Sequence, residues 1–354
     1  VRPNFSGGFS TPAADQSIDT DFERLSLYLY DYWQVHPTLT LIGGLTYDHL
    51  DYPRNFRNPP VSEEQRNQSK LSPKAGFTWT PCTNLRFHGM YAEGLGGLSF
   101  DESVRLEPSQ IAGFNQAFRT VISESLAGSV EAPDYQTWGL SAEGDINQRT
   151  WWGARYHSID QDVDRTIGAF TGYDSSVFPI SPAYFADGLD QKLGYKEDRV
   201  TLTLNHLIGD QFSAGARYRF TKSRLNNSFP DLVASGSAGG SLPARTRDEA
   251  SLHEFSLYGN WYAPSGWFAG VEANWLTQDL DDDPRGAGAG FSSRSGDDVL
   301  QFNAFAGYRF NRRQGEVTVG VLNITDQDFN LSPLNPYPQT ARERTVVVRC
   351  RVTF

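Results

Sequence analysis

The stretch EDRVTLTLNHLIGDQFSAGARYRFTKSR, residues 197 to 224, decides the fold. Two runs of alternating character, 197–208 and 211–224, flank Gly209-Asp210-Gln211, which has the composition of a hairpin turn. Side chains alternate between the two faces of a strand, so Phe212, Ala214, Ala216, Tyr218 and Phe220 share one face. Ser213, Gly215, Arg217 and Arg219 share the other. One face is apolar enough for lipid and the other polar enough for a wet lumen. Both runs are about twice the roughly 5 or 6 residues usual for a soluble strand.

About 13 such runs occur along the chain. They cover 22–34, 39–50, 70–80, 85–95, 135–146, 150–162, 197–208, 211–224, 251–263, 267–280, 297–311, 315–328 and 342–354. The connections alternate between two kinds. Short ones are turn-like: 36–38, 81–84, 147–149, 209–211, 264–266 and 312–314. Long ones are rich in Gly, Pro, Ser, Asp and Asn: 51–69, 96–134, 163–196, 225–250, 281–296 and 329–341. Short turns on one rim and long loops on the other describe an outer-membrane β-barrel, with turns in the periplasm and loops outside.

Other runs divide in the same way. Leu300, Phe302, Ala304, Ala306, Tyr308 and Phe310 oppose Gln301, Asn303 and Arg309; Trp267, Ala269, Val271, Ala273 and Trp275 oppose Glu272 and Asn274. Aromatics gather beside the short turns, as an interfacial girdle requires. In the first run, LSLYLYDYW, an inward Asp31 would put Tyr28, Tyr30 and Tyr32 on the lipid face and three Leu inside. The final run sets Val346, Val348, Cys350, Val352 and Phe354 against Val347, Arg349 and Arg351. An alternating strand ending on an aromatic has the form of a barrel-assembly signal, carried here by Val348, Val352 and Phe354.

Composition fits this plan. The 354 residues are 38% hydrophobic and 13% aromatic, with 33 Gly and a formal charge of −11. No run of about 18 apolar residues suggests a spanning helix. The acidic balance and the lack of a basic stripe argue against nucleic acid. Cys82 and Cys350 show no disulfide framework and no zinc spacing. With no initiating Met and no signal-peptide pattern ahead of Val1, the chain reads as a processed product or part of a longer one.

Three strings resemble the barrel of TonB-dependent receptors. LYLYDYWQVHPTLTLIGGLTYDH, Leu27 to His49, resembles a family hairpin ending in Gly44, Tyr47 and Asp48. KLSPKAGFTWTPCTNLRFHGMYAEGL, Lys70 to Leu95, is similar to the next hairpin, opened by Ser72, Pro73, Lys74 and Gly76. VGVLNITDQDF, Val319 to Phe329, looks like the penultimate strand, with Asn323 and Asp326 in an Asn-x-x-Asp element. The resemblance implies an outer-membrane receptor that captures a small ligand through external loops and imports it when TonB displaces an N-terminal plug. Two departures stand out: neither plug nor TonB box is seen, and about 13 strands fall short of the family's 22. The expectation is therefore the C-terminal part of a larger barrel. The alternative is a barrel of about 14 strands in which Arg2 to Phe9 supply one. Arg105-Leu106-Glu107-Pro108 replaces the usual loop motif and suggests a divergent subgroup.

Lumen-lining candidates are Arg155, Arg217, Arg219, Glu272, Asn303, Arg309, Arg349 and Arg351. Arginines in a pore favour anions. The plainer reading is a ladder in which Asp48, Glu143, Asp145 and Glu272 pair with them. Loop 96–134 supplies ligand or constriction candidates Arg105, Glu107, Phe114, Phe118 and Arg119. Its Ile111, Phe114, Phe118, Val121 and Ile122 fall at helical spacing, which predicts an amphipathic helix over Ile111 to Leu126. Acidic groups at Asp279, Asp281, Asp282 and Asp283, and at Asp160, Asp162 and Asp164, read as solvated surface instead of a metal site.

No phosphate loop, Gly-x-Ser-x-Gly elbow or His-Glu-x-x-His is present, and adjacent Asp48 and His49 point to opposite strand faces. The expectation is a single all-β, antiparallel up-and-down transmembrane barrel domain over residues 1–354, multi-pass in a Gram-negative outer membrane, without catalytic residues, metal or cofactor. Its expected partners are outer-membrane lipid, the barrel-assembly machinery, an unknown small ligand and TonB acting through a plug. The competing expectation is a passive pore or surface-anchoring barrel.

Overall fold

The computed structural model describes residues 17–97, 105–173, 183–231, 245–282, 296–310, 314–338 and 340–352. Strands β1 (Glu23–His36), β2 (Leu39–Pro53), β3 (Gln65–Cys82) and β4 (Leu85–Leu95) come first. A small hairpin, β5 (Gln110–Ile111) and β6 (Phe114–Asn115), and helix α1 (Glu124–Ala127) occupy the next connection. Then follow β7 (Asp134–Asn147), β8 (Thr150–Tyr173), β9 (Ala183–Ile208), β10 (Phe212–Ser228), β11 (Arg245–Tyr262), β12 (Trp267–Asp282), β13 (Asp298–Arg309), β14 (Gly315–Leu322) and β15 (Thr345–Val352). All but β5 and β6 form one 13-stranded sheet in chain order, every neighbour antiparallel. This up-and-down sheet is the wall of a barrel, and among the described residues β1 and β15 do not pair with each other.

The opening stretch folds as its alternation demands. Phe212 pairs with Ile208 across the short turn and with Trp261 on the other side, and the register holds without a bulge to Ser228. Several strands run past their sequence-based ends. Most of 163–196, expected as loop, is strand: Val163 pairs with Leu193, Arg165 with Gln191 and Ile167 with Leu189. A polar composition reads as loop, yet a ladder partner satisfies the backbone equally well outside the membrane. At the other end, β14 stops at Leu322 instead of 328, because Asn323 and Asp326 adopt φ of 51° and 56°. Asn323 Nδ2 donates to the carbonyls of Gln327, Ala341 and Arg342, so its side chain replaces the ladder. Phe354 lies outside the described residues.

The outward face carries Trp267, Val271, Trp275, Leu300 and Phe302, all exposed. The inward face carries Thr221, Ser223, Glu254, Gln278 and Gln301, all buried. In β1 the assignment is the reverse of the one built on an inward Asp31. Leu25, Leu27, Leu29 and Trp33 point outward, with Leu29 74% exposed, and Tyr30 points in. Cross-strand pairing explains this, since Ser26 lies opposite Asp48, and Asp48 is fully buried on the inner face. Asp31 shares the outward face with the leucines near the short-turn rim, where a carboxylate can reach water.

Two long connections fold back over the inner face. Residues 105–133 reach from β1 to β8, and 323–338 with 340–344 reach from β9 to β13. They meet over the middle of the sheet, where Ile122 and Val130 of the first and Leu334 of the second join Val163, Leu193, Tyr195, Leu225 and Ala250 in one apolar cluster.

Candidate ligand-binding lumen

The expected helix over Ile111 to Leu126 is absent as such; only Glu124–Ala127 is helical. Ala112 and Gly113, with φ of 48° and 81°, make a tight two-residue turn that joins β5 to β6. Ile111 and Phe114 therefore project together toward the wall. Two wall glycines receive them: a Cβ on Gly76 would stand 2.7 Å from Ile111 Cγ2, and one on Gly139 would stand 2.4 Å from Phe114 Cε1. Helical spacing and a hairpin both place apolar side chains on one side, and Gly113 together with the receiving hollows decides for the hairpin.

Arg105 and Glu107 lie under this hairpin in a buried ion network. Glu107 binds Lys74 and accepts from Arg105 at 2.6 Å, Tyr30 at 2.5 Å and Thr46 at 2.8 Å. Arg105 stands 3.6 Å from Asp48, which pairs with Arg24 at 2.7 Å and accepts from Ser26 at 2.6 Å. Gln116 completes the set, accepting from Lys74 at 2.6 Å and donating to Tyr30 at 3.0 Å. Burial alone would raise the Glu107 carboxyl, but the Lys74 and Arg105 cations and the Tyr30 hydroxyl hold it down at about 2. Glu107 is thus an anion among buried cations. Phe118 closes the network from above, with the Arg105 guanidinium 4.3 Å and the Lys74 ammonium 5.7 Å from its ring centre.

Beyond Phe118 the same connection is held by neutral and cationic wall side chains. Gln161 accepts from the Val121 amide at 2.8 Å and donates to the Arg119 carbonyl at 3.0 Å, acting as a short strand partner. Arg165 donates to the carbonyls of Ala127 and Ser129. Beside it, burial pushes the Glu131 carboxyl up to about 7, against the opposing pull of Arg165 and Arg57. On the other side of the lumen, Asn335 Nδ2 donates to the carbonyls of Thr221 and Ala250, and Gln278 binds the Ser332 backbone through both ends of its amide.

Between residues 115–130 and the wall lies a cleft of about 670 Å³. Arg119, Glu124, His157, Glu197 and Arg199 are its ionisable lining, and Phe118, Val121 and Ile122 are among its apolar lining. The remaining arginine candidates share the inner face. Arg155 lies 4.7 Å over the Phe114 ring, Arg217 donates to Ser256 at 3.3 Å, and Arg219 pairs with Glu254. Arg309 pairs with Glu316 at 2.9 Å, and Asn303 donates to Glu272 at 3.3 Å. Arg349 and Arg351 sit opposite Thr318 and Glu316 in the register, at some distance from the cleft. Lys74, Asp48, Tyr30, Gln116, Glu197 and Arg199 join the site although the sequence pattern does not mark them as ligand contacts. Arg199 was discoverable, because Val200, Leu202 and Leu204 mark the lipid face and leave Arg199 on the other. The partners of Glu107 were not, because they depend on where the loop folds.

An antiparallel wall with an apolar outer face, a charged inner face and connections sorted by rim is a β-barrel of the outer-membrane type. Within that class, residues 2–106 match the family described as TonB dependent receptor-like, beta-barrel, as the sequence strings suggested. The match covers the first third of the chain, and the family it describes is made up of receptors and transporters. No curated protein matches the sequence. Among solved structures, the closed form of the ferric-catecholate import receptor Fiu from E. coli K12 is 14% identical over 85% of this chain and 48% of its own, with a TM-score of 0.46. Its open form gives the same identity and TM-score with 52% of its own length covered. The siderophore receptor PiuA from Acinetobacter baumannii is 9% identical over 93% of this chain and 74% of its own, with a TM-score of 0.31. The chain thus spans about half the length of the Fiu structures it matches.

Proposed function

We propose that residues 1–354 belong to one barrel domain, as its C-terminal portion, of an outer-membrane receptor of TonB-dependent type, which takes a small ligand from the rim of long connections and passes it along the inner face. The observation that carries this reading is the occupied lumen. Residues 105–133 and 323–344 are bonded to the inner wall and leave a cleft between them and the sheet, whereas a passive pore needs a clear path. The family match over 2–106 supports the TonB-dependent type. On this reading the outer face meets lipid in a Gram-negative outer membrane, and Val348, Val352 and Phe354 address the assembly machinery. TonB acts through a plug, and no catalytic step is involved.

The test is ligand accumulation by cells expressing the protein, with and without TonB. Uptake that requires TonB is the expected result. Equal uptake in both strains, together with steady conductance of the purified protein in planar bilayers, would instead establish a passive pore.

A further inference from the structure

We infer that the cleft beneath residues 115–130 is a binding site for a small organic anion that joins a carboxylate or similar head to an aromatic or apolar body. The inference deepens the receptor reading and rests on it for the ligand's route, but not for binding itself.

The cleft has two chemically different sides. Phe118, Val121 and Ile122 present apolar surface from the loop. Arg119 and Arg199 present guanidinium groups, one from the loop and one from β9. A volume of about 670 Å³ lies within the roughly 300–1,000 Å³ usual for small-molecule sites. Among the described residues Arg119 makes no ion pair through its side chain, and its neighbour Gln161 binds only its backbone carbonyl. Arg199 is engaged on one side alone: Nη2 donates to Glu197 at 2.5 Å, while its Nε is shut off from solvent and has no partner. A guanidinium with a dry, unused donor is costly unless an acceptor arrives.

The surroundings reinforce the cationic character. Register places Arg155 opposite Thr201, and Thr201 opposite Arg219; one step further toward the turns, Thr203 lies opposite Arg217. Cross-strand neighbours of this kind stand about 5 Å apart, so the inner face of β8 to β10 beside the cleft carries Arg155, Arg217 and Arg219 with threonines between them. Its buried acids are Glu197 and Glu254, each already paired with one arginine. Glu124, at the cleft rim, is largely exposed and lies 3.9 Å from Arg57. The lining sets Arg119 and Arg199 against Glu124 at the exposed rim and the buried Glu197, so two guanidinium groups face one buried acid, and Arg forks suit planar carboxylates with two acceptor oxygens. The apolar loop side would then cover the rest of the molecule.

The probe is terephthalate, compared with its neutral diamide, in calorimetric titration of the detergent-solubilised protein. Terephthalate is expected to bind and weaken with salt, and the diamide to bind at least tenfold more weakly. Arg119→Gln, at an exposed side chain that the fold does not need, is expected to weaken terephthalate by about tenfold. Glu197→Gln removes the competing carboxylate, keeps an acceptor for Tyr195, and is expected to tighten terephthalate, a change that a merely structural role would not produce. Equal affinity for the two probes, no binding of either, or no response to both substitutions would overturn the proposal. Loss of TonB dependence in uptake would sink the receptor reading and leave these titrations standing.

Discussion

Glu107 shows how a single loop residue becomes part of the wall. Its carboxylate is surrounded by Lys74, Arg105, Tyr30 and Thr46, and both cations are almost wholly buried. Removing it strands two positive charges in a dry site, at a cost of about 3–5 kcal/mol. Glu107→Ala should therefore lower the melting temperature in detergent sharply, while Glu107→Gln, which keeps one acceptor, should cost less. Because its folded pKa is depressed to about 2, the stability it contributes is present above about pH 4.5 and fades only as pH falls toward 2. Glu131 behaves oppositely. Its folded pKa of about 7 exceeds the unfolded value, so the folded state gains from the proton below about pH 4.5 and loses that gain as pH rises through 7. Hydrogen exchange of residues 119–133 should accelerate between pH 5 and 8 beyond the intrinsic rate, and Glu131→Gln should abolish the extra acceleration. A flat profile in the unsubstituted protein would show that the carboxyl is not buried as described.

At the scale of the element, the hairpin β5–β6 is a small unit whose geometry is set from both sides. Ala112 adopts a left-handed conformation that costs a non-glycine residue about 1–2 kcal/mol, so Ala112→Gly should protect the amides of residues 110–116 from exchange. Gly139→Val should do the reverse by filling the hollow that Phe114 occupies, at about 1–3 kcal/mol. If both substitutions leave exchange unchanged, the hairpin is not docked on Gly139. Strands were legible in the sequence because lipid on one side and water on the other impose a strict period of two, as in Phe212 to Phe220. The period failed where that constraint ends. Beyond Asp162 the pairing continues through a more polar run, Asp164, Arg165 and Thr166 against Lys192, Gln191 and Asp190, and Ile111 and Phe114 face wall, so the spacing from Ile111 to Ile122 mimicked a helix. Asp31 misled for a related reason, since an acidic side chain near the rim can stay on the lipid face.

At the scale of the whole molecule, strand direction constrains how the wall closes. β1 runs from Glu23 to the short turn after His36, and β15 runs from Thr345 toward the same rim. The two edges are therefore parallel, and a seam between them would break the antiparallel rule that holds at every other junction. A second copy in the same orientation offers only the same two directions, so it does not repair the mismatch. An all-antiparallel closure takes an odd number of further strands between β15 and β1. Cysteine cross-linking in native membranes distinguishes the two arrangements, with Cys82 and Cys350 first replaced by Ser. Thr318→Cys with Arg349→Cys spans a junction that is in register and should oxidise readily. Tyr32→Cys with Arg349→Cys joins the two free edges and should not, since disulfide formation needs Cα atoms within about 7 Å. Rapid oxidation of the second pair would show that β1 and β15 meet directly, and the wall would then close on a parallel seam.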